Sequence, residues 1–199
     1  MTKPYNIENE RKPEHDVDKI FIKRWSPRAI SKEGFTEKDL ISLFEAARWA
    51  PSSFNVQPWR FLYAMNGDEN WNTSFGLLGE FNQMWTKDAG ALIVVLSKKT
   101  NDEGKPNVTH SFDTGSAWMS FALQARMKNF IAHGMTGFDY EKARKILNVP
   151  DDYKVEAMLA VGTQGDVEDL HERMQKSEKP NERKHVEEFA FKGKFPKIE

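Results

Sequence analysis

Two kinds of apolar pattern alternate along this chain. Ile20, Phe21 and Ile22 open a short helical stretch that Ser26 and Pro27 end or bend. Thr36 predicts an N-cap, with Asp39 in the first turn. Leu40, Ile41, Leu43, Phe44, Ala47 and Trp49 then form an apolar face at helical spacing. Residues 60–65 predict a strand. It closes on Asn66-Gly67-Asp68, a turn sequence compatible with a hairpin. Helical patterns follow over 71–78 and 79–85. The unbroken apolar run 89–97 predicts a strand buried on both faces. Residues 98–109 are polar, contain Gly104 and Pro106, and are expected to be mobile. Residues 111–129 are the longest helical pattern. They are apolar nearly all round, as in a helix central to a core or an interface. A glycine-punctuated loop over 134–139, a short helix over 140–147 and a third strand over 157–162 complete the series. Interleaved helices and strands of this kind predict an α+β or α/β fold with few strands.

The two ends differ from this middle. Residues 1–19 read as a polar, proline-spotted arm, either flexible or laid on a partner subunit, and residues 20–199 as a single domain. After a charged stretch over 167–181, read as mostly loop, the segment 183–195 regains Phe189, Phe191 and Phe195. An apolar tail after a polar linker fits packing on a second subunit. Composition narrows the function. The 199 residues suffice for one domain with a substantial core, and the mean hydropathy of -0.69 is that of a polar globular chain. A net charge of -1 supplies no field to recruit nucleic acid or an anionic membrane, so neither is expected as a partner. The absence of cysteine removes disulfides, thiolate metal sites and cysteine nucleophiles. No apolar run approaches the ~20 residues of a membrane span, and the first residues lack the apolar core of a signal peptide. A cytoplasmic location is expected.

Four stretches carry candidate chemistry. The sequence APSSFNVQPWRF joins a helical pattern to a strand, and it gathers Ser52, Ser53, Asn55 and Gln57 between two prolines. Side-chain amides offer a donor and an acceptor side by side, which suits the edge of a heteroaromatic ring; a capped turn with a core Trp59 fits equally. RWSPR places Arg24, Ser26 and Arg28 at a helix end, as a phosphate site or a solvated basic patch. Arg183 and Lys184 offer a second basic pair. HGMTG is either a helix C-cap or a loop whose backbone N–H groups approach a ligand. The five histidines show no metal-ligand spacing, and no metal is expected. His110, Asp113 and Ser116 could form a hydrolase set, but no GxSxG elbow accompanies them.

Together RWSPRAI, APSSFNVQPWRF, HGMTGFD and RKHVEEF resemble, in order and approximate spacing, the nitroreductase family, over nearly the whole span 20–195. The HGMTGFD loop resembles one subgroup of it. The resemblance implies a mixed sheet flanked by helices, in an intertwined homodimer whose C-terminal tail packs on the partner. It implies FMN at the interface, NADH or NADPH as electron donor, and a small acceptor such as a nitroaromatic, quinone or enone. A non-catalytic flavin-binding or flavin-storage relative is the alternative. The implied cofactor-binding residues are Arg24, Trp25, Ser26 and Arg28, then Ser52, Ser53, Asn55 and Gln57, then Met135, Thr136 and Gly137, and finally Arg183. Arg24, Ser26 and Arg183 would hold the phosphate. Arg28 would lie toward the pyrimidine edge, and Thr136 and Gly137 toward N5 and O4. Trp25, Pro27 and His185 depart from the commoner family choices. Trp71, Phe81 and Trp85 fall in the stretch that covers the substrate in relatives. No side chain is implied as acid or base, because the cofactor carries the chemistry.

Overall fold

The computed structural model describes residues 11–196; the first ten residues of the expected arm and the last three of the chain lie outside the described residues. Asp18 caps a short helix, α1 (Lys19–Lys23), by accepting a hydrogen bond from the Ile20 N–H. A two-residue strand, β1 (Ile30–Ser31), precedes α2 (Glu37–Arg48). Thr36 caps α2 reciprocally: its hydroxyl accepts from the Asp39 N–H while the Asp39 carboxylate accepts from the Thr36 N–H. Next come β2 (Trp59–Met65), α3 (Trp71–Phe75), α4 (Glu80–Thr86) and β3 (Ala91–Lys98). The long helix α5 (His110–Met127) leads into β4 (Ile131–Met135), α6 (Tyr140–Ile146), β5 (Tyr153–Gln164) and a short α7 (Glu172–Gln175).

The five strands form one sheet in the order β1-β5-β3-β2, with β4 also paired to β5. Every described pairing is antiparallel, where the resemblance implied a mixed sheet. β2 and β3 are neighbours but not a hairpin, because α3 and α4 lie between them. Successive side chains of a strand face opposite sides, and here both sides are covered. Leu92, Val94 and Leu96 of β3 join one core with Trp71, Leu77, Trp85, Phe138 and Met174. Ala91, Ile93 and Val95 join a second core with Leu40, Leu43 and Ala47 of α2 and Ala117, Phe121 and Ala125 of α5. The unbroken apolar run thus has the two-sided burial its pattern predicts.

The strand expectations need correction. β5 extends beyond 157–162 because Val155 is buried while its charged neighbours Lys154 and Glu156 pair with each other at 2.9 Å. β4 was hidden by its length and by His133 and Gly134, yet it pairs with β5 from Ile131 to Met135. Within the polar connection 98–109 the Asn101 side chain accepts from the N–H groups of Glu103 and Lys105. Residues 11–14 of the arm lie on their own chain's C-terminal segment, through Arg11 to Asn181 and Glu14 to Val186. α5 buries one stripe, while Phe112, Met119 and Met127 on its remaining surface are exposed. Phe189, Phe191 and Phe195 are also exposed in the single chain. Among the described residues no helix is long and apolar enough to cross a membrane.

Phe121 ties the second core together. Fully buried, it stands 5.5 Å from Phe44 and 5.9 Å from Trp118, ring centre to ring centre. Phe121→Ala is expected to lower stability by about 3–5 kcal/mol, the cost of a large cavity in a packed core. Urea unfolding followed by circular dichroism measures it; a loss below about 1 kcal/mol would show that this cluster does not anchor α5.

Candidate functional site

After α1 the chain runs extended through Arg24-Trp25-Ser26-Pro27-Arg28 and enters β1. Trp25 and Pro27 are buried, while the alternate residues Arg24, Ser26 and Arg28 are partly exposed at the edge of the fold. Arg24 Nη1 donates to Ser26 Oγ at 3.4 Å. The segment after α7 returns to the same place. Glu178 has a fully buried side chain, and its Oε1 accepts from the backbone N–H groups of Arg28 at 2.6 Å and Ala29 at 2.8 Å. Its other oxygen stands 3.8 Å from Arg28 Nη1. A carboxylate holding two backbone N–H groups makes charge-assisted bonds. This one fixes residues 177–183 against residues 24–29.

Between the two segments lies a cavity of about 390 Å³, lined by Arg24, Ser26 and Arg28 from one side and by Lys179, Asn181 and Arg183 from the other. Trp25, His133 and Ser177 complete the lining, and no Asp or Glu lines it among the described residues. A second cavity, about 250 Å³, shares Arg24 and Ser26 and continues along α5 past Trp118, Met119 and Ala122 to Gly134. Arg24 and Ser26 thus belong to the lining of both cavities. Arg24, Arg28, Lys179 and Arg183 give the cavity a positive lining that favours an anion. A doubly charged phosphate with three acceptor oxygens matches this donor set.

The other expected site residues are not at this cavity. Ser52, Ser53, Asn55 and Gln57 lie in the loop before β2, anchored to the start of α5: the Ser53 N–H donates to Asp113 Oδ2 at 3.1 Å. Phe54, Asn55 and Gln57 all have positive φ, at 48°, 57° and 50°. Three non-glycine residues in this region within one short loop store strain, and such strain concentrates at functional sites. The Gln57 N–H donates to Ser52 Oγ, and the Gln57 side chain donates to the Asn55 carbonyl, so internal bonds hold the shape. Phe54 is 99% exposed at the tip, and Phe112 of α5 is 78% exposed. Met135 is buried, whereas Thr136 and Gly137 are exposed. The Gly137 carbonyl accepts from the Gly79 N–H at 3.0 Å and from Asn82 Nδ2 at 2.9 Å.

The three aromatic candidates separate. Trp71 and Trp85 belong to the core, where Trp71 stacks on Phe75 and Trp85 lies 4.6 Å from the His133 ring. Neither is available to cover a substrate. Phe81 is exposed, with the Arg28 guanidinium 5.9 Å from its ring centre. The hydrolase grouping also fails. His110 faces Ser97, Asp113 holds the Ser53 loop, and Ser116 donates to the carbonyl of Phe112.

Sequence reasoning missed Lys179, Asn181, Glu178 and His133. The first three lie in a charged stretch read as linker, without periodicity. His133 sits on the unrecognised β4; its Nδ1 lies 2.9 Å from the Pro27 carbonyl, so it supports the RWSPR turn from behind.

With this geometry in hand, comparison with known proteins is decisive. The model of the nitroreductase family matches residues 22–73 and 68–163. This chain belongs to the nitroreductase family. A solved structure described as an oxidoreductase containing FMN superposes with a TM-score of 0.90 at 42% identity, over 94% of this chain and 97% of that one. An uncharacterized 15.4 kDa protein of Mycolicibacterium smegmatis is 33% identical over 129 residues, covering 64% of this chain and 86% of that protein. The oxygen-insensitive NADPH nitroreductase of Helicobacter pylori strain J99 is 37% identical over 68 residues, covering 34% of this chain and 31% of the relative.

His133 gives the family fold of this chain an acid-sensitive point. Burial first, then repulsion from Arg28 and Arg24, lowers its pKa from 6.5 to about 4, against the opposing pull of the Pro27 carbonyl. The folded state therefore holds the ring neutral, while the unfolded chain protonates it below about 6.5. The resulting stability is fully present above pH 6.5 and is lost as pH falls through about 4. The loss is on the order of 3 kcal/mol. His133→Gln is expected to flatten the fall in urea stability between pH 6.5 and 4; an unchanged slope would assign acid sensitivity elsewhere.

Proposed function

We propose that this chain is an FMN-dependent oxidoreductase that uses NADH or NADPH to reduce a small oxidised acceptor of the nitroaromatic, quinone or enone class. The reading rests on one observation: cationic and hydroxyl side chains from both ends of the chain converge on a single cavity free of carboxylates among the described residues. The FMN-containing relative and the NADPH nitroreductase relative support the choice of cofactor and donor. When bound, FMN would supply the hydride-accepting and hydride-donating chemistry at N5 that links NAD(P)H to the acceptor, and the kinetics are expected to be ping-pong.

The chain's own residues bind and orient. Arg24, Ser26 and Arg183 hold the phosphate, with Lys179 and Asn181 beside them. The apolar cavity along α5, by Trp118 and Ala122, receives the ring system. Arg28, held by Glu178, lines the cationic cavity beside Arg24 and would stabilise negative charge on a ring bound next to it. Thr136 and Gly137 offer backbone N–H groups on a loop that Asn82 and Gly79 keep in place. Met135 anchors this loop in the core. Phe81 is the remaining aromatic candidate to stack on an acceptor.

The Ser52–Gln57 loop stands apart from the cavity of its own chain, and Phe54, Phe112 and Trp49 are 99%, 78% and 74% exposed. A homodimer accounts for both facts. The exposed aromatics meet the second copy, and the loop delivers Ser53 and Asn55 to the partner's cofactor. A cytoplasmic location, where NAD(P)H is available, fits this reading.

The purified protein is expected to be yellow, and anaerobic NADH or NADPH is expected to bleach it. Arg24→Ala and Arg183→Ala should each weaken FMN retention about tenfold or more, since a charge-assisted bond contributes about 1.5–3 kcal/mol. Visible spectra and flavin fluorescence read both effects. A colourless protein that takes up no FMN, or retention unchanged in both variants, contradicts the reading. A yellow protein that neither donor bleaches marks a flavin-binding relative without turnover.

A further inference from the structure

Residues 178–185 form neither helix nor strand, yet they carry Lys179, Asn181 and Arg183 to the cavity. Something other than a backbone ladder must hold them. Glu178 fixes one end of the segment. The other end is held by the N-terminal arm.

Arg11 makes the central contact. Its Nε donates to the Asn181 carbonyl at 2.9 Å, and its Nη2 reaches Asn181 Oδ1 at 3.3 Å. Its Nη1 donates to the carbonyls of Arg24 at 3.2 Å and Ile22 at 3.3 Å. One planar guanidinium thus joins the backbones of the two segments that face each other across the cavity. The Asn181 carbonyl also accepts from Arg183 Nη1 at 3.3 Å, so Arg11 and Arg183 share an anchor. Three residues along the arm, Glu14 pairs with the His185 ring and accepts from the Val186 N–H at 3.1 Å.

We propose that Arg11 is a positioning residue for the anion site: the arm straps the C-terminal segment so that Arg183 and Arg24 stand at a fixed separation. This rests on the reading of the cavity as the phosphate site of FMN. Arg11 does not line the cavity. It acts on affinity by reducing what the segment must lose in freedom when a phosphate binds, since the ordering is already done in the free protein. An ammonium cannot replace it, because three donors on one atom do not span carbonyls on two segments as the planar fork does.

The test compares FMN with riboflavin, which has the same ring and lacks the phosphate, binding to apo-protein of the full chain. Arg11→Ala is expected to weaken FMN binding about tenfold, as when a charge-assisted bond is misplaced, and to leave riboflavin within about twofold. Arg11→Lys, which keeps the charge, should fall with Arg11→Ala. In the double variant Arg11→Ala/Arg183→Ala, FMN binding should be no weaker than in Arg183→Ala by more than about twofold, because one residue acts through the other. Equal weakening of FMN and riboflavin would show a general structural role and overturn the proposal. So would full retention by Arg11→Lys, or independent losses that multiply in the double variant. If the wild-type chain binds FMN and Arg11→Ala binds it equally well, the strap fails while the cavity assignment stands. If the wild-type chain binds no FMN, both fail.

Discussion

A buried carboxylate decides the shape of the site. Glu178 is 150 residues from Arg28 in the chain, and its side chain has no contact with solvent. An ionised group in that position is costly unless its lone pairs are occupied. Here one oxygen accepts from two backbone N–H groups, and the other, without a hydrogen bond, lies 3.8 Å from the Arg28 guanidinium. The backbone turn from Arg28 into β1 depends on this acceptor, as does the return of the chain after α7. Remove it, and two N–H groups lose their acceptor while four cations lose the frame that opposes their mutual repulsion.

The frame itself is the sheet. β3 and β5 alternate their side chains between two cores, so helices must cover both faces. α2 and α5 lie on one side, and α3, α4, α6 and α7 on the other. Two-sided burial leaves the sheet's edge as the place where polar side chains can gather. β1 and β4 both pair with β5, and the RWSPR turn and His133 arrive together at that edge. The strained Ser52–Gln57 loop is held separately, by Asp113 at the head of α5. The site's two halves, cationic and amide, are therefore fixed by different parts of one scaffold.

Much of this was legible in the sequence. The helical face of α2, the cap at Thr36 and the double burial of β3 follow from periodicity and side-chain chemistry alone. What was not legible has a common cause. β1 and β4 are too short for a period to emerge, and their formation depends on an edge of β5 that the local sequence does not describe. Lys154 and Glu156 interrupt the apolar pattern of β5 because they pair with each other. Two motifs, RWSPRAI and RKHVEEF, pointed to Arg24, Ser26, Arg28 and Arg183, but their convergence is a tertiary fact. The same holds for Lys179, Asn181 and Glu178, which lie in a stretch with no pattern. Trp71 and Trp85 show the converse: aromatic residues near a site are as readily core as lid, and burial alone separates them.

The account turns on where an FMN phosphate goes. A crystal structure of the protein grown with FMN tests that directly. The account predicts the phosphate among Arg24, Ser26 and Arg183, with the Glu178 bonds to Arg28 and Ala29 intact. A phosphate bound elsewhere, with these arginines facing solvent, would contradict it.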